Sequence, residues 1–139
     1  MKTRAAHPTL VDTSAWVELL RGTGSPVDHA LADALDSGRP LWITDVVLQE
    51  VLQGATSAAQ ADNLRRLLAA CVVVEPVFPE TYEHAATLFR RCRHAGRAVR
   101  GTVDCLVAAV AREHGLAVLG IDSDLLTLRD VCGVVLALP

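Results

Sequence analysis

Asp12, Glu50, Asp104 and Asp122 are the residues of this 139-residue chain whose type and surroundings could do chemistry. Each alone has an ordinary reading. Asp104 could complement the positive end of a helix, Asp12 and Asp122 could start turns, and Glu50 could be a solvated helix residue. Two neighbourhoods argue for more. Glu50 lies three and four positions from Val47 and Val46 and next to Val51, on or beside an apolar helix face. Asp104 lies three and four residues before Val107 and Ala108 in TVDCLVAAVA, a segment of buried character. Carboxylates near a core are costly unless paired or metal-bound. Lys2 is the only lysine, so a divalent cation is the natural partner. An all-oxygen site suits magnesium or manganese better than zinc. Such an ion can activate water and stabilise charge on a phosphoryl oxygen, which is the chemistry of metal-assisted phosphodiester hydrolysis.

The elements that must carry these acids alternate between strand and helix. Thr9-Leu10-Val11 reads as a strand ending at Asp12, followed by a helix over Ala15 to Leu20 capped by Thr13 or Ser14. Pro26 suits the start of a helix to Asp36, Leu41 to Thr44 a second strand, and Asp45 to Gln53 a helix closed by Gly54. Helices are expected over Ser57–Ala70, Pro79–His94 and Thr102–His114, with Val72–Val74 a strand between the first two. Gly115 to Ile121 is expected as a strand, Asp124 to Leu128 as a helical turn and Val134 to Leu136 as a final strand. This order predicts one α/β domain over residues 1–139, with a mostly parallel sheet flanked by helices. In such a sheet the ligand crevice lies at the carboxyl ends of the strands, and helix amino ends share that edge. The four acids are therefore expected to converge there.

Composition narrows the class. Hydrophobic residues make up 51% and charged residues 21%, enough for a core and too apolar for disorder. The longest apolar run, Leu67 to Val74, falls far short of the roughly 20 residues of a bilayer span. The amino end lacks the apolar stretch of a secretory signal, so a cytoplasmic protein is expected. Cys71, Cys92, Cys105 and Cys132 show no CxxC pair and read as reduced, mostly buried thiols. The five histidines are scattered and read as surface or capping residues. Net charge is −3, yet RRCRHAGRAVRG, from Arg90 to Gly101, carries five arginines and no acid. It is either a solvated face or a phosphate-contact patch beside the acidic site. Nucleotide P-loop and G-x-S-x-G patterns are absent, and Ser14 stands where a haloacid-dehalogenase-type enzyme would want its second acid.

The blocks LVDTSAWVELLRG, TDVVLQEVLQG, TVDCLVAAVAREHGLAVLGID and SDLLTL together resemble the PIN domain, and more closely the VapC-type toxin ribonucleases of bacterial toxin–antitoxin pairs. The resemblance spans nearly the whole chain. It implies that Asp12, Glu50, Asp104 and Asp122 are the catalytic, metal-holding acids, with Asp124 and Thr13 accessory to them. It further implies magnesium or manganese as cofactor and endonucleolytic cleavage of RNA, such as tRNA or rRNA. A VapB-type antitoxin would enter the acidic groove of a homodimer. Leu125 departs from the aromatic residue the family often places after the last D-x-D. On this reading Arg97 and Arg100, with Arg91, position RNA phosphates, and Leu31, Leu35, Leu64 and Leu68 offer surfaces for dimerisation. The competing reading is a module that binds RNA or antitoxin without turnover.

Overall fold

A computed structural model describes residues 7–138. In chain order the elements are β1 (Thr9–Val11), α1 (Thr13–Arg21), α2 (Pro26–Asp36), β2 (Leu41–Thr44), α3 (Asp45–Gln53), α4 (Ala58–Ala69), β3 (Val72–Val74), α5 (Glu80–His94), α6 (Thr102–His114), β4 (Ala117–Leu119) and α7 (Ser123–Cys132). The strands form one parallel sheet in the order β3-β2-β1-β4. Val11 pairs with Leu119 and Thr44 with Val74, so the carboxyl ends of the strands lie along one edge.

Successive strand side chains point to opposite faces, and Leu10, Val11, Val118 and Leu119 are all buried. Both faces of the central strands are therefore covered, as a parallel sheet requires. The helices that cover them pack in two groups, α1 to α4 and α5 to α7. Trp16, Leu31, Ile43, Val47, Leu64, Leu68, Leu88, Val107 and Leu128 fill the core, all almost completely out of water. Burying each aliphatic side chain contributes about 1.5–3 kcal/mol. Leu31, Leu64 and Leu68 are thus core residues and not the dimerisation surfaces offered under the resemblance; only Leu35 of that set is partly exposed.

Local chemistry sets the helix ends. Ser25 and Ser57 accept backbone N–H bonds at the starts of α2 and α4, with Pro26 in the first turn of α2. At α1 the cap is Asp12 itself, whose carboxylate accepts from the Ser14 N–H, and neither Thr13 nor Ser14 fills that place. The carboxyl-terminal region also differs from expectation. α7 is a ten-residue helix rather than a turn, because Leu125, Leu128 and Cys132 share a buried face while Arg129 and Asp130 lie outside. It ends at Gly133 with φ 72°, a left-handed conformation that suits glycine. In place of the expected final strand over Val134 to Leu136, Leu136 makes a single parallel bridge to Val118. β4 is shorter than the expected Gly115 to Ile121, since Gly115 caps α6 at φ 65°. Among the described residues no helix is long and apolar enough to cross a membrane.

Candidate active site

The backbone N–H of Asp12 donates to the Leu119 carbonyl at 2.9 Å, tying the end of β1 to the end of β4. The Asp12 side chain is then held by Ser14. The Ser14 hydroxyl donates to Asp12 Oδ2 at 2.6 Å, and the Ser14 N–H reaches the same oxygen at 3.1 Å. Ser14 Oγ in turn accepts from the Ile121 N–H at 3.0 Å, so one hydroxyl joins the first acid to the chain entering Asp122. Gly120 makes this approach possible. A β-carbon there would stand 2.5 Å from Leu125 Cδ1 and 2.9 Å from Ser14 Oγ. Leu125 is buried against this glycine, so an apolar side chain at that position serves packing.

Asp104, in the first turn of α6, Asp122, the N-cap of α7, and Asp124 bring carboxylate oxygens within 4.8 Å of one another. Asp12 and Glu50 stand outside this tight group. Glu50, half-buried on α3, accepts a 2.7 Å bond from Thr13 Oγ1 across the gap between α3 and α1. Thr13 thus orients Glu50, whereas Ser14 orients Asp12. Asp122 Oδ1 accepts the Asp124 N–H at 2.9 Å. Asp124 Oδ2 accepts the N–H groups of Arg100 and Gly101, at 3.0 and 3.1 Å.

The electrostatics are lopsided. Asp12, Asp104 and Asp124 are buried, and none of the ion pairs among the described residues involves these three, Glu50 or Asp122. Burial, then the charges of Asp12, Asp122 and Asp124, push the Asp104 carboxyl up to about 8. Burial likewise raises Asp12, with the charges of Asp122 and Glu50 adding to it, against the lowering effect of the Ser14 bonds. Oxygens bound at roughly 2.0–2.6 Å to a common ion stand up to about 5 Å apart. The separation within the Asp104, Asp122 and Asp124 group meets that limit, and the donor set is all oxygen. A hard divalent cation fits this cluster.

The arginines divide. Arg97 is taken up by α7, pairing with Asp130 at 3.0 Å and reaching Thr127 Oγ1 at 3.3 Å. Arg91 and Arg100 are exposed, with no ion pair among the described residues. The sequence reading missed Ser14, Gly120 and the backbone bonds of Asp124. A hydroxyl two residues after the first acid and a glycine two residues before the last are visible in sequence, but only the fold joins them. Cys92, Cys105 and Cys132 are buried free thiols and Cys71 is partly buried.

The profile of the PIN domain matches residues 9–131, and the chain belongs to the PIN domain family. It is 33% identical over 116 residues to a VapC ribonuclease of Mycobacterium bovis and to ribonuclease VapC11 of Mycobacterium tuberculosis, covering 83% of this chain and 87% of each relative. The fold matches VapBC2 of Rickettsia felis, solved bound to a promoter DNA fragment, with a TM-score of 0.70 and 14% identity over 92% of this chain and 96% of that one. It also matches Mycobacterium tuberculosis VapC20, described as a sarcin–ricin loop cleaving toxin, with a TM-score of 0.60 and 24% identity over 84% and 91% of the two chains.

Proposed function

We propose that the chain is a metal-dependent endoribonuclease, the toxin of a VapBC-type pair, that hydrolyses RNA phosphodiester bonds at the edge carrying Asp12, Glu50, Asp104, Asp122 and Asp124. The observation that carries this reading is the cluster of Asp104, Asp122 and Asp124, whose carboxylate oxygens lie within 4.8 Å of one another with no ion pair among the described residues. Its kinship with relatives named VapC ribonuclease supports the choice of RNA as substrate.

Asp12, Glu50, Asp104 and Asp122 are assigned to magnesium or manganese, with Asp124 accessory to them. A bound ion of this kind lowers the pKa of a coordinated water and stabilises charge on a phosphoryl oxygen. The chain's own residues prepare for it. Asp104, whose carboxyl burial pushes up to about 8, would hold the ion as a carboxylate, and Ser14 keeps Asp12 Oδ2 turned in one direction. Thr13 does the same for Glu50 Oε1. Arg91 in the last turn of α5 and Arg100 just before α6, both exposed, are assigned to the phosphate backbone, which accounts for RNA binding by a chain of net charge −3. Arg97 contributes through its hold on α7. The protein acts in the cytoplasm as a homodimer restrained by a VapB-type antitoxin, a reading supported by the VapBC complexes that share the fold.

Purified protein free of antitoxin, incubated with total RNA in magnesium, manganese or EDTA, tests this directly. Discrete products that require metal and vanish in Asp12→Asn are expected. Cleavage that persists in EDTA or in that variant contradicts the mechanism. Translation arrest that survives Asp12→Asn would favour the binding module acting without turnover.

A further inference from the structure

The geometry points to Asp124 as a positioning residue that places Asp104 by holding the backbone at the entry to α6, rather than as a carboxylate ligand whose charge is needed; this rests on the nuclease reading above. Asp124 is buried, and its Oδ2 already accepts two backbone N–H groups, from Arg100 and Gly101. Those residues lie more than twenty positions earlier in the chain, so the bonds fasten the amino end of α7 to the amino end of α6. The N-cap of α6 is Gly101, and no side-chain hydrogen bond caps the helix among the described residues. Asp104 lies one turn beyond this fastening.

Three further observations agree. Gly101 is packed against both acids. A β-carbon there would stand 3.2 Å from Asp104 Oδ2 and 3.9 Å from Asp124 Oδ2, so the backbone here is part of the wall that locates Asp104. Arg97 straps the same segment to α7 from outside, through Asp130 and Thr127. Finally, Asp122 Oδ1 accepts the Asp124 N–H, so the fastening begins at a second acid of the cluster. Hydrogen bonds thus run from Asp122 to Asp124 to Gly101 and so to the helix that carries Asp104. An asparagine at 124 keeps an oxygen with two lone pairs for the same two N–H groups, while removing the charge.

That difference makes the role testable in the full-length chain. Wild type, Asp124→Asn, Asp124→Ala and Asp122→Asn would be compared by manganese titration calorimetry, and by hydrogen exchange of the Arg100 and Gly101 amides in EDTA. Asp124→Asn is expected to keep both amides protected and manganese affinity within about 3-fold, whereas Asp122→Asn weakens binding by about 10-fold or more. Asp124→Ala is expected to expose the two amides and to weaken manganese binding by about 10-fold or more, through Asp104. A loss in Asp124→Asn as large as in Asp122→Asn overturns the proposal, as does full amide protection in Asp124→Ala. If Asp124→Ala is unfolded by circular dichroism, the asparagine comparison decides. Wild type that binds no manganese defeats the nuclease reading and the placing of a metal-holding Asp104 with it; the exchange result then reports separately whether the backbone fastening exists.

Discussion

The two ends of α7 hold aspartates in opposite circumstances. Asp130, on the outer face, lies between Arg97 and Arg129, each at 3.0 Å, and its carboxyl is lowered by those two hydrogen bonds. At the amino end, Asp122 and Asp124 face Asp104 with no ion pair among the described residues, and burial with the neighbouring carboxylates raises Asp104 to about 8. The chain has twelve arginines to distribute, and Asp130 takes two of them, while among the described residues Asp104, Asp122 and Asp124, the first and last of them buried, have no ion pair. A fold that wanted only stability would pair or remove the buried charges. The contrast separates an acid used for surface attachment from the acids proposed above to serve an ion.

The largest effect should come from neutralising the unpaired end. Asp104→Asn is expected to lower metal-dependent RNA cleavage by on the order of 100-fold or more, measured as kcat/KM on a defined RNA. Asp130→Asn, which loosens only the exposed outer strap of α7, should lower that rate by no more than about 3-fold, although it removes two well-formed ion pairs.

Next in size is the pH dependence of stability. A carboxyl whose folded pKa is about 8, against an ordinary value near 3.8, binds its proton more tightly in the folded state. Stability from this group is therefore full below about pH 4 and is lost as pH rises through 8. The metal-free protein should melt at least about 5 °C higher at pH 5 than at pH 8. Saturating manganese should close that gap, and Asp104→Asn in EDTA should flatten it. Calorimetric scans across this range check the sign.

Gly120→Ala tests the close approach behind the acids. With Leu125 Cδ1 at 2.5 Å from the added carbon, a cost of about 1–3 kcal/mol in denaturant unfolding is expected. The smallest effect belongs to Thr13→Val. It removes the 2.7 Å bond to Glu50 without touching Asp12, and should lower cleavage less than Ser14→Ala does. Equal losses in the two would contradict the separate duties of these hydroxyls.

Most of the architecture was legible in sequence because strands and helices here announce themselves by period and by punctuation. β2, α2, α3, β3 and α6 lie where apolar spacing, Pro26 and the turn residues put them. The convergence of acids followed from parallel topology alone, since carboxyl ends of strands and amino ends of helices must share an edge. What stayed hidden depends on which neighbour a short side chain meets. Asp12, not the hydroxyl after it, caps α1, because its own carboxylate folds back on Ser14. Leu31, Leu64 and Leu68 could face a partner or a core by spacing alone, and only the packing of α2 and α4 decides for the core. Arg97 looks like any other cation of its basic run until α7 brings Asp130 to it. The full length of α7 was obscured by Arg129 and Asp130, two charges that end a pattern by eye but occupy its exposed side.

The central claim is that the unpaired acids are held ready for a divalent ion. Manganese binding at pH 8, measured by calorimetry on metal-free wild type, Asp104→Asn and Asp130→Asn without RNA, tests it most directly. Saturable binding in wild type and Asp130→Asn, weakened by about 10-fold or more in Asp104→Asn, is the expected result. Equal affinity in all three proteins, or none in wild type, would contradict it.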